Sequence, residues 1–318
     1  MSIYLVTGGA GFIGSHIVAN LISGGEKVRV VDNFLTGSLE NLGDAIRDIE
    51  LIEGDIRDAD LTRKAMSGVT YCLHQAALPS VPRSIEDPSL SNDINANGTL
   101  NVLLSARDAG VKRFVYASSS SVYGDSPVLP KQEDMPVRPL SPYAISKLAG
   151  ELYARAFHSL YGLPTVCLRY FNVFGPRQTP DSPYAAVIPI FISAMAQGKP
   201  ATVHGDGEQS RDFCYVDNVV MANILSCSSP AERVAGRVFN IACEERHTLN
   251  ELVKDLNEII GRKIKPVHIP ARNGDIKHSM ADITLARHHL GYEPFVHFDE
   301  GLKRTVSWFQ SRRSRAAR

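Results

Sequence analysis

Tyr143 and Lys147 stand four residues apart, so on a helix both side chains occupy one face. About two dozen residues upstream runs Ser118-Ser119-Ser120-Ser121, a source of hydroxyls. A free phenol ionises near pH 10, which leaves about one in a thousand charged at pH 7. A neighbouring ammonium favours the phenolate, and a phenolate so held can take a proton from a substrate hydroxyl. Ser119 could share the proton hydrogen-bonded to the same oxygen. Tyr and Lys are common on exposed helices, so the pair gains meaning only beside a second motif.

That motif opens the chain. A strand-like run over residues 3–7 leads into Gly8-Gly9-Ala10-Gly11-Phe12-Ile13-Gly14 and then a helical pattern. Glycines in this context let backbone N–H groups and a helix N-terminus approach a pyrophosphate. Asp32 ends the second strand-like run, at the spacing where a carboxylate accepts from a ribose 2′-hydroxyl and repels a 2′-phosphate. The loop from Asn33 to Ser38 contains no Arg or Lys, so NAD is favoured over NADP. Asp55 and Ile56 follow the third run, where they could hold an adenine edge and face, and Gln75-Ala76-Ala77 follows the fourth, where small residues admit the cofactor. Together the motifs point to a nicotinamide cofactor and hydride transfer at a hydroxyl-bearing carbon. A positive nicotinamide ring would add to the ammonium in favouring phenolate.

The elements that must position these groups alternate. Strand-like runs fall at 3–7, 27–32, 49–53, 70–76, 113–118 and 164–170, with helical patterns at 14–23, 61–66, 95–109 and 143–160. Such alternation predicts right-handed crossovers and a Rossmann-type α/β fold with a doubly wound parallel sheet. Ser141 is placed to cap the helix of Tyr143, Pro142 suits its first turn and Gly162 follows its end. From Phe171 to Ser182 the chain is rich in Gly, Pro and Asn, a loop signal. Beyond it a helix is expected at 186–196, a short strand at 202–204 and a further sheet strand at 237–242. The reading is a cofactor domain of residues 1–172 plus about 213–243, and a smaller discontinuous α/β domain of 173–212 and 244–318, with a cleft between them.

Composition narrows the classes. Apolar residues are 44% and charged residues 21% of 318, ordinary for a globular enzyme. Lys+Arg and Asp+Glu are both 34, without the basic excess of a nucleic-acid binder. The apolar stretch at 185–196 is too short to span a bilayer, and the first residues lack a leader pattern, so a cytoplasmic protein without membrane insertion is expected. Five scattered cysteines without CxxC spacing read as buried thiols, and the ten histidines form no metal motif. The basic run from Arg312 to Arg318 reads as a solvated, frayed terminus.

TGGAGFIG, GDIRD, HQAA, SSSSVYG, SPYAISK, RYFNVFGP and SRDFCYVDN occur in this order along essentially the whole chain. In this the sequence resembles the extended short-chain dehydrogenase/reductases and, within them, the UDP-sugar 4-epimerases. AALPSVPRS and RYFNVFGPRQTPDSPYAAVIP most resemble bacterial enzymes acting on UDP-N-acetylhexosamines. The resemblance implies that the tyrosine takes the sugar 4-hydroxyl proton while the C4 hydride passes to tightly held NAD⁺. The 4-keto sugar then turns in the site and the hydride returns to its other face. By matching position, Tyr143 is the base, Lys147 tunes it and holds the nicotinamide ribose, Ser119 bonds O4 and Ser120 assists, and Tyr170 borders the cofactor. Asn172, Arg211 and Arg272 match diphosphate contacts, Ala186 and Val187 the uracil pocket, and Ser80 and Ser279 the sugar pocket. A small Ser279 would leave room for an N-acetyl group where related enzymes restricted to plain sugars carry Tyr. A homodimer pairing helices near 95–109 and 146–161, and a role in surface polysaccharide supply, are also implied.

The family contains other chemistries. Sugar-nucleotide dehydratases carry Thr-Asp-Glu where Ser119, Ser120 and Ser121 stand, and UDP-glucuronate decarboxylases carry Glu at the position of Ser121. Hydroxyls there leave elimination without its acid and base, and Asp125 is out of register. UDP-glucuronate 4-epimerases can share the serine-rich motif, and the Asn172 context and SPYAAVIP weigh against them. A non-catalytic NAD-binding regulator would typically lose Tyr143 or Lys147. A net-consuming reductase would release its cofactor at each turnover, whereas an epimerase regenerates it.

Overall fold

The computed structural model describes residues 2–180, 186–271 and 277–316. Seven parallel strands build the central sheet: β1 (Ile3–Thr7), β2 (Lys27–Asp32), β3 (Ile49–Glu53), β4 (Tyr71–His74), β5 (Arg113–Ser119), β6 (Thr165–Tyr170) and β7 (Arg237–Ile241). Their order is β7-β6-β5-β4-β1-β2-β3. The order reverses between β1 and β4, and a ligand crevice is expected beyond the strand ends at such a point.

Alternation along each strand feeds two different cores. Val6, Val30, Leu73, Val115 and Leu168 pack on one face with Ile17, Val18 and Leu21 of α1 (Phe12–Ser23). Their sequence neighbours Leu5, Val31, Cys72, Phe114 and Cys167 pack on the other. That second face is covered by α2 (Ala59–Met66), α3 (Thr99–Asp108) and α4 (Pro142–Tyr161). Sheets buried on both faces read as continuous apolar runs, which is why these strands were legible.

A third core lies outside the sheet. Phe191 and Ile192 of α5 (Val187–Ala196), Leu252 and Val253 of α7 (Leu249–Ile260) and Leu302 and Val306 of α8 (Phe298–Ala316) meet Phe174, Phe213 and Tyr215. Between β6 and β7 the chain passes through this region and returns as α6 (Val216–Ser228), which packs on the α1 face. Pro189 sits in the first turn of α5, where its missing N–H costs no helical bond.

Two expectations need correction. The helix anticipated over 95–109 begins as a π-helical turn, Asp93–Gly98, before α3 proper, because Asn95 is drawn into bonds outside the helix. The basic terminus is helical through Ala316: Phe309 is 7% exposed against the third core, and Arg312 pairs with Glu40 at 2.8 Å and lies over Trp308. All five cysteines are buried free thiols. Among the described residues no helix is long and apolar enough to cross a membrane.

Candidate active site

Six strand ends converge on one cleft. It is lined by Gly8, Gly11, Phe12, Ile13 and Gly14 after β1, Asp32 and Asn33 at β2, Asp55 and Ile56 after β3, and Gln75, Ala76 and Ala77 after β4. Ser118 of β5, Tyr170 of β6 and Tyr143 and Lys147 of α4 complete it. All the residues expected to hold a dinucleotide are therefore brought together.

The glycine loop has no room for side chains. A Cβ on Gly14 would lie 2.1 Å from the Gly8 oxygen, and one on Gly8, at φ +68, 2.7 Å from the Ala76 Cα. Gly11 is the N-cap of α1 without any side-chain cap, so the first N–H groups of that helix face the cleft. These are the features a pyrophosphate needs. Asp32 is 7% exposed and accepts from Ala10 N and Phe34 N, both at 2.9 Å. Burial raises its pKa against the pull of those backbone donors. Asp55 is more committed than the sequence implied: Arg57, Asn33 and the Arg57 N–H all bond its carboxylate, and Arg57 holds it down at about 2.

The helix carrying Tyr143 starts as expected, with the Ser141 hydroxyl accepting from Ala144 N at 3.2 Å and Pro142 in its first turn, and Gly162 ends it in the left-handed conformation at φ 71. Gly150 lets α4 sit tightly on β5, since a Cβ there would be 2.3 Å from the Tyr116 hydroxyl. Tyr116 donates to the Lys147 carbonyl at 3.1 Å, and the Lys147 Nζ lies 4.5 Å from the Tyr116 ring centroid. Ser119 accepts from the Ser121 hydroxyl at 2.9 Å and backbone N–H at 3.2 Å, which leaves its own O–H to donate.

The electrostatics differ from the sequence expectation. Burial is the largest influence on Tyr143 and raises its pKa, while a hydrogen bond from Ser119 lowers it. Burial likewise pushes Lys147 down to about 7, against Cys167 and Glu151. In the protein alone, then, burial is the largest influence on both groups, raising the phenol and lowering the ammonium.

A second cavity collects Asn172, Ala186, Val187 and Arg211, four of the residues assigned to substrate, together with Thr202, His204, Gln209 and Phe191. Tyr170 faces the first cleft and Asn172 the second, so a single intervening residue, Phe171, joins them. Asn172 adopts a positive φ of 30 and donates to the Asp212 carbonyl at 3.2 Å. Arg211 donates to the Ser210 and Lys277 carbonyls. The buried Asp212 carboxylate anchors this loop by accepting from Cys243 N and Ala281 N. Ser279 donates its N–H to the Ser210 oxygen, beside Arg211. Ser80 caps the helix Val81–Glu86 by accepting from Arg83 N, at a strained φ of 125. Ser80, Ser119, Ser120 and Ser279 line neither cavity. Arg272 lies outside the described residues.

The sequence profile of the NAD dependent epimerase/dehydratase family matches residues 4–242. The chain belongs to this family. A UDP-N-acetylglucosamine 4-epimerase from Methanobrevibacter ruminantium, solved with UDP-N-acetylmuramic acid, is 42% identical, with a TM-score of 0.93 over 98% of this chain and 99% of that one. The UDP-glucose 4-epimerase of Thermotoga maritima, solved with UDP-glucose, is 40% identical, with a TM-score of 0.92 over 98% and 99%. That of Thermus thermophilus, solved with NAD, is 38% identical, with a TM-score of 0.87 over 97% and 99%. NAD is the cofactor of the family, and the glycine cradle and Asp32 fit it.

Some members of the site were not anticipated. Asn223 of α6 donates to the Tyr170 hydroxyl at 2.8 Å and accepts from Gln75 Nε2 at 3.0 Å, and Tyr170 donates to Gln75 Oε1 at 3.1 Å. This triangle fixes the Gln75 amide and the Tyr170 ring at the cleft. Glu151 and Arg169 lie behind Lys147, and Thr202, His204 and Gln209 border the second cavity. No local spacing marks Asn223, because it approaches from 148 residues away.

Proposed function

We propose that the protein interconverts the C4 epimers of a UDP-N-acetylhexosamine, UDP-GlcNAc and UDP-GalNAc, with UDP-Glc and UDP-Gal as the second substrate pair. The observation that carries this reading is the meeting of Tyr143 and Lys147 at the dinucleotide cleft, beside the serine-bearing end of β5. Bound NAD supplies reversible hydride acceptance at the sugar C4. Asp32 takes the ribose 2′-hydroxyl, and Asp55, Ile56 and Gln75 border the cofactor. Tyr143 removes and returns the 4-hydroxyl proton, Lys147 steadies the phenolate, and Ser119 with Ser120 holds O4. Asn172, Arg211 and Arg272 receive the diphosphate, a role suited to guanidinium forks. Ala186 and Val187 edge the uracil pocket. Hydroxyls at Ser119, Ser120 and Ser121 leave elimination without a carboxyl group, which favours epimerisation over dehydration and decarboxylation. Residues 1–172 and 213–243 serve the cofactor, and 173–212 and 244–318 the UDP-sugar.

The test is parallel incubation with UDP-GlcNAc, UDP-Glc and UDP-GlcA, with product identification and absorbance at the NADH band. Wild type should epimerise UDP-GlcNAc without accumulating NADH. Ser279 lies beside Arg211 through its N–H bond to the Ser210 oxygen, and on its assignment to the sugar wall Ser279→Tyr would add bulk there, at about 1–3 kcal/mol. It should cut UDP-GlcNAc turnover about tenfold and spare UDP-Glc. Conversion of UDP-GlcA alone would replace the substrate assignment, and equal losses on both hexoses in the variant would remove Ser279 from the pocket wall.

A two-fold homodimer through α4 belongs to the same proposal. Ile145, Leu152, Tyr153 and Leu160 form an apolar seam on that helix, exposed at 53%, 52%, 40% and 72%. Sedimentation equilibrium should give twice the chain mass. A single-chain mass at micromolar concentration would count against the pairing.

A further inference from the structure

His74, at the end of β4, is buried and has no part in the roles assigned above. Its hydrogen bonds can be given directions. Thr99 uses its only hydroxyl proton on the Asn95 carbonyl at 2.6 Å, so towards His74 Nε2, at 2.9 Å, it must accept. The proton of the neutral ring is therefore on Nε2. Nδ1 must then accept from the Thr7 hydroxyl at 2.7 Å, and Thr7 in turn accepts from Ala76 N at 3.3 Å. Beyond Asn95 the sequence of donors continues: its Nδ2 donates to Ser146 Oγ at 3.1 Å, and Ser146 donates to the Tyr143 carbonyl at 2.9 Å. The Asn95 amide also clamps both backbone groups of Leu78, accepting from its N at 2.7 Å.

We propose that His74, locked as the Nε2–H tautomer, is a positioning residue that sets the turn of α4 carrying Tyr143 and Lys147 against the dinucleotide loop. The chain begins at Ala76, against which Gly8 is packed without room for a Cβ, and ends on the backbone of Tyr143 itself. The π-helical turn at Asp93–Gly98 is the element that brings Asn95 into this path. Burial and the Lys147 charge hold the imidazole pKa at about 3, so the ring stays neutral and the donor directions do not reverse near neutral pH. The inference rests on the reading of Tyr143 as the base and assigns what keeps it in place.

Thr99→Val removes the hydroxyl that both accepts from His74 and donates to Asn95, with little change in volume. On the NAD-loaded enzyme it should lower kcat at least about tenfold, as displacement of a reacting group does. KM for the UDP-sugar should stay within about twofold. Thr99→Ser should restore most of kcat, and Ser146→Ala, which breaks the chain at its last link, should repeat the kcat loss. Nitrogen NMR of histidine-labelled enzyme should show His74 protonated on Nε2 and not titrating around neutral pH. An unchanged kcat in both Thr99→Val and Ser146→Ala, equal impairment of the Val and Ser variants, or an Nδ1–H ring would overturn the proposal. Absence of epimerisation by wild type would instead defeat the reading of Tyr143, and the NMR tautomer would still judge the chain of bonds.

Discussion

Tyr143→Phe should lose nearly all turnover, by about 10²–10⁴-fold, while its NAD content and melting temperature stay close to wild type. Only the phenol oxygen is removed. The ring remains in the wall of the cleft, and the bonds that place its helix run through the Tyr143 backbone and through Ser146. Because burial raises the phenol's pKa, proton abstraction depends on the assembled complex. Cofactor and substrate must lower the effective pKa together, and among the described residues Tyr143 brings the one α4 hydroxyl that lines the cleft. Retention of more than a tenth of the activity in product-formation assays would remove Tyr143 from the base role.

Glu151→Ala should destabilise the fold by about 3–5 kcal/mol, measurable by denaturant unfolding, because it strands a buried charge. Glu151 and Arg169 are 1% and 3% exposed and are joined by two bonds, at 2.6 and 3.0 Å. Ser118 donates to the same carboxylate at 2.7 Å. The Arg169 guanidinium stacks over Tyr123, 4.7 Å from its ring centroid, and among the described residues it bonds no other carboxylate. The variant also takes away the carboxylate that faces Lys147. A loss below about 1 kcal/mol would mean that water or a rearranged neighbour satisfies Arg169.

The parts of this architecture visible in the sequence are those set by local rules. The strands ending at Thr7, Asp32, Glu53 and Tyr170 and the caps at Ser141 and Gly162 follow from apolar runs, glycines and a capping serine, each acting over a few residues. The glycine loop and the Tyr143–Lys147 pair were legible for the same reason. What stayed hidden is held by distant partners. Asn223 closes the triangle on Gln75 and Tyr170 from another helix, and the π-turn at Asn95 answers to Leu78 and Ser146 rather than to its own neighbours. The resting charge of Lys147 also depends on burial, which spacing cannot report. Asn172, Ala186, Val187 and Arg211, which share the second cavity, were named only through family resemblance, and its other polar members, Thr202, His204 and Gln209, carry no motif.

The place of β7 at the edge of the sheet has a consequence for biosynthesis. Its partner β6 ends at Tyr170, yet β7 itself begins at Arg237, after the excursion through the third core and α6. A ribosome making this chain therefore releases all the glycine loop, Asp32 and the Tyr143 helix well before it releases Asn223 or the strand that covers β6. Chains begin to fold from the N-terminus as they emerge, but here the early segment has an open sheet edge and a tyrosine without its buttress. Nascent chains arrested near residue 172 should hold NAD poorly and depend on protection from aggregation, and the cofactor is best taken up as a late event, once the returning strand has closed the sheet.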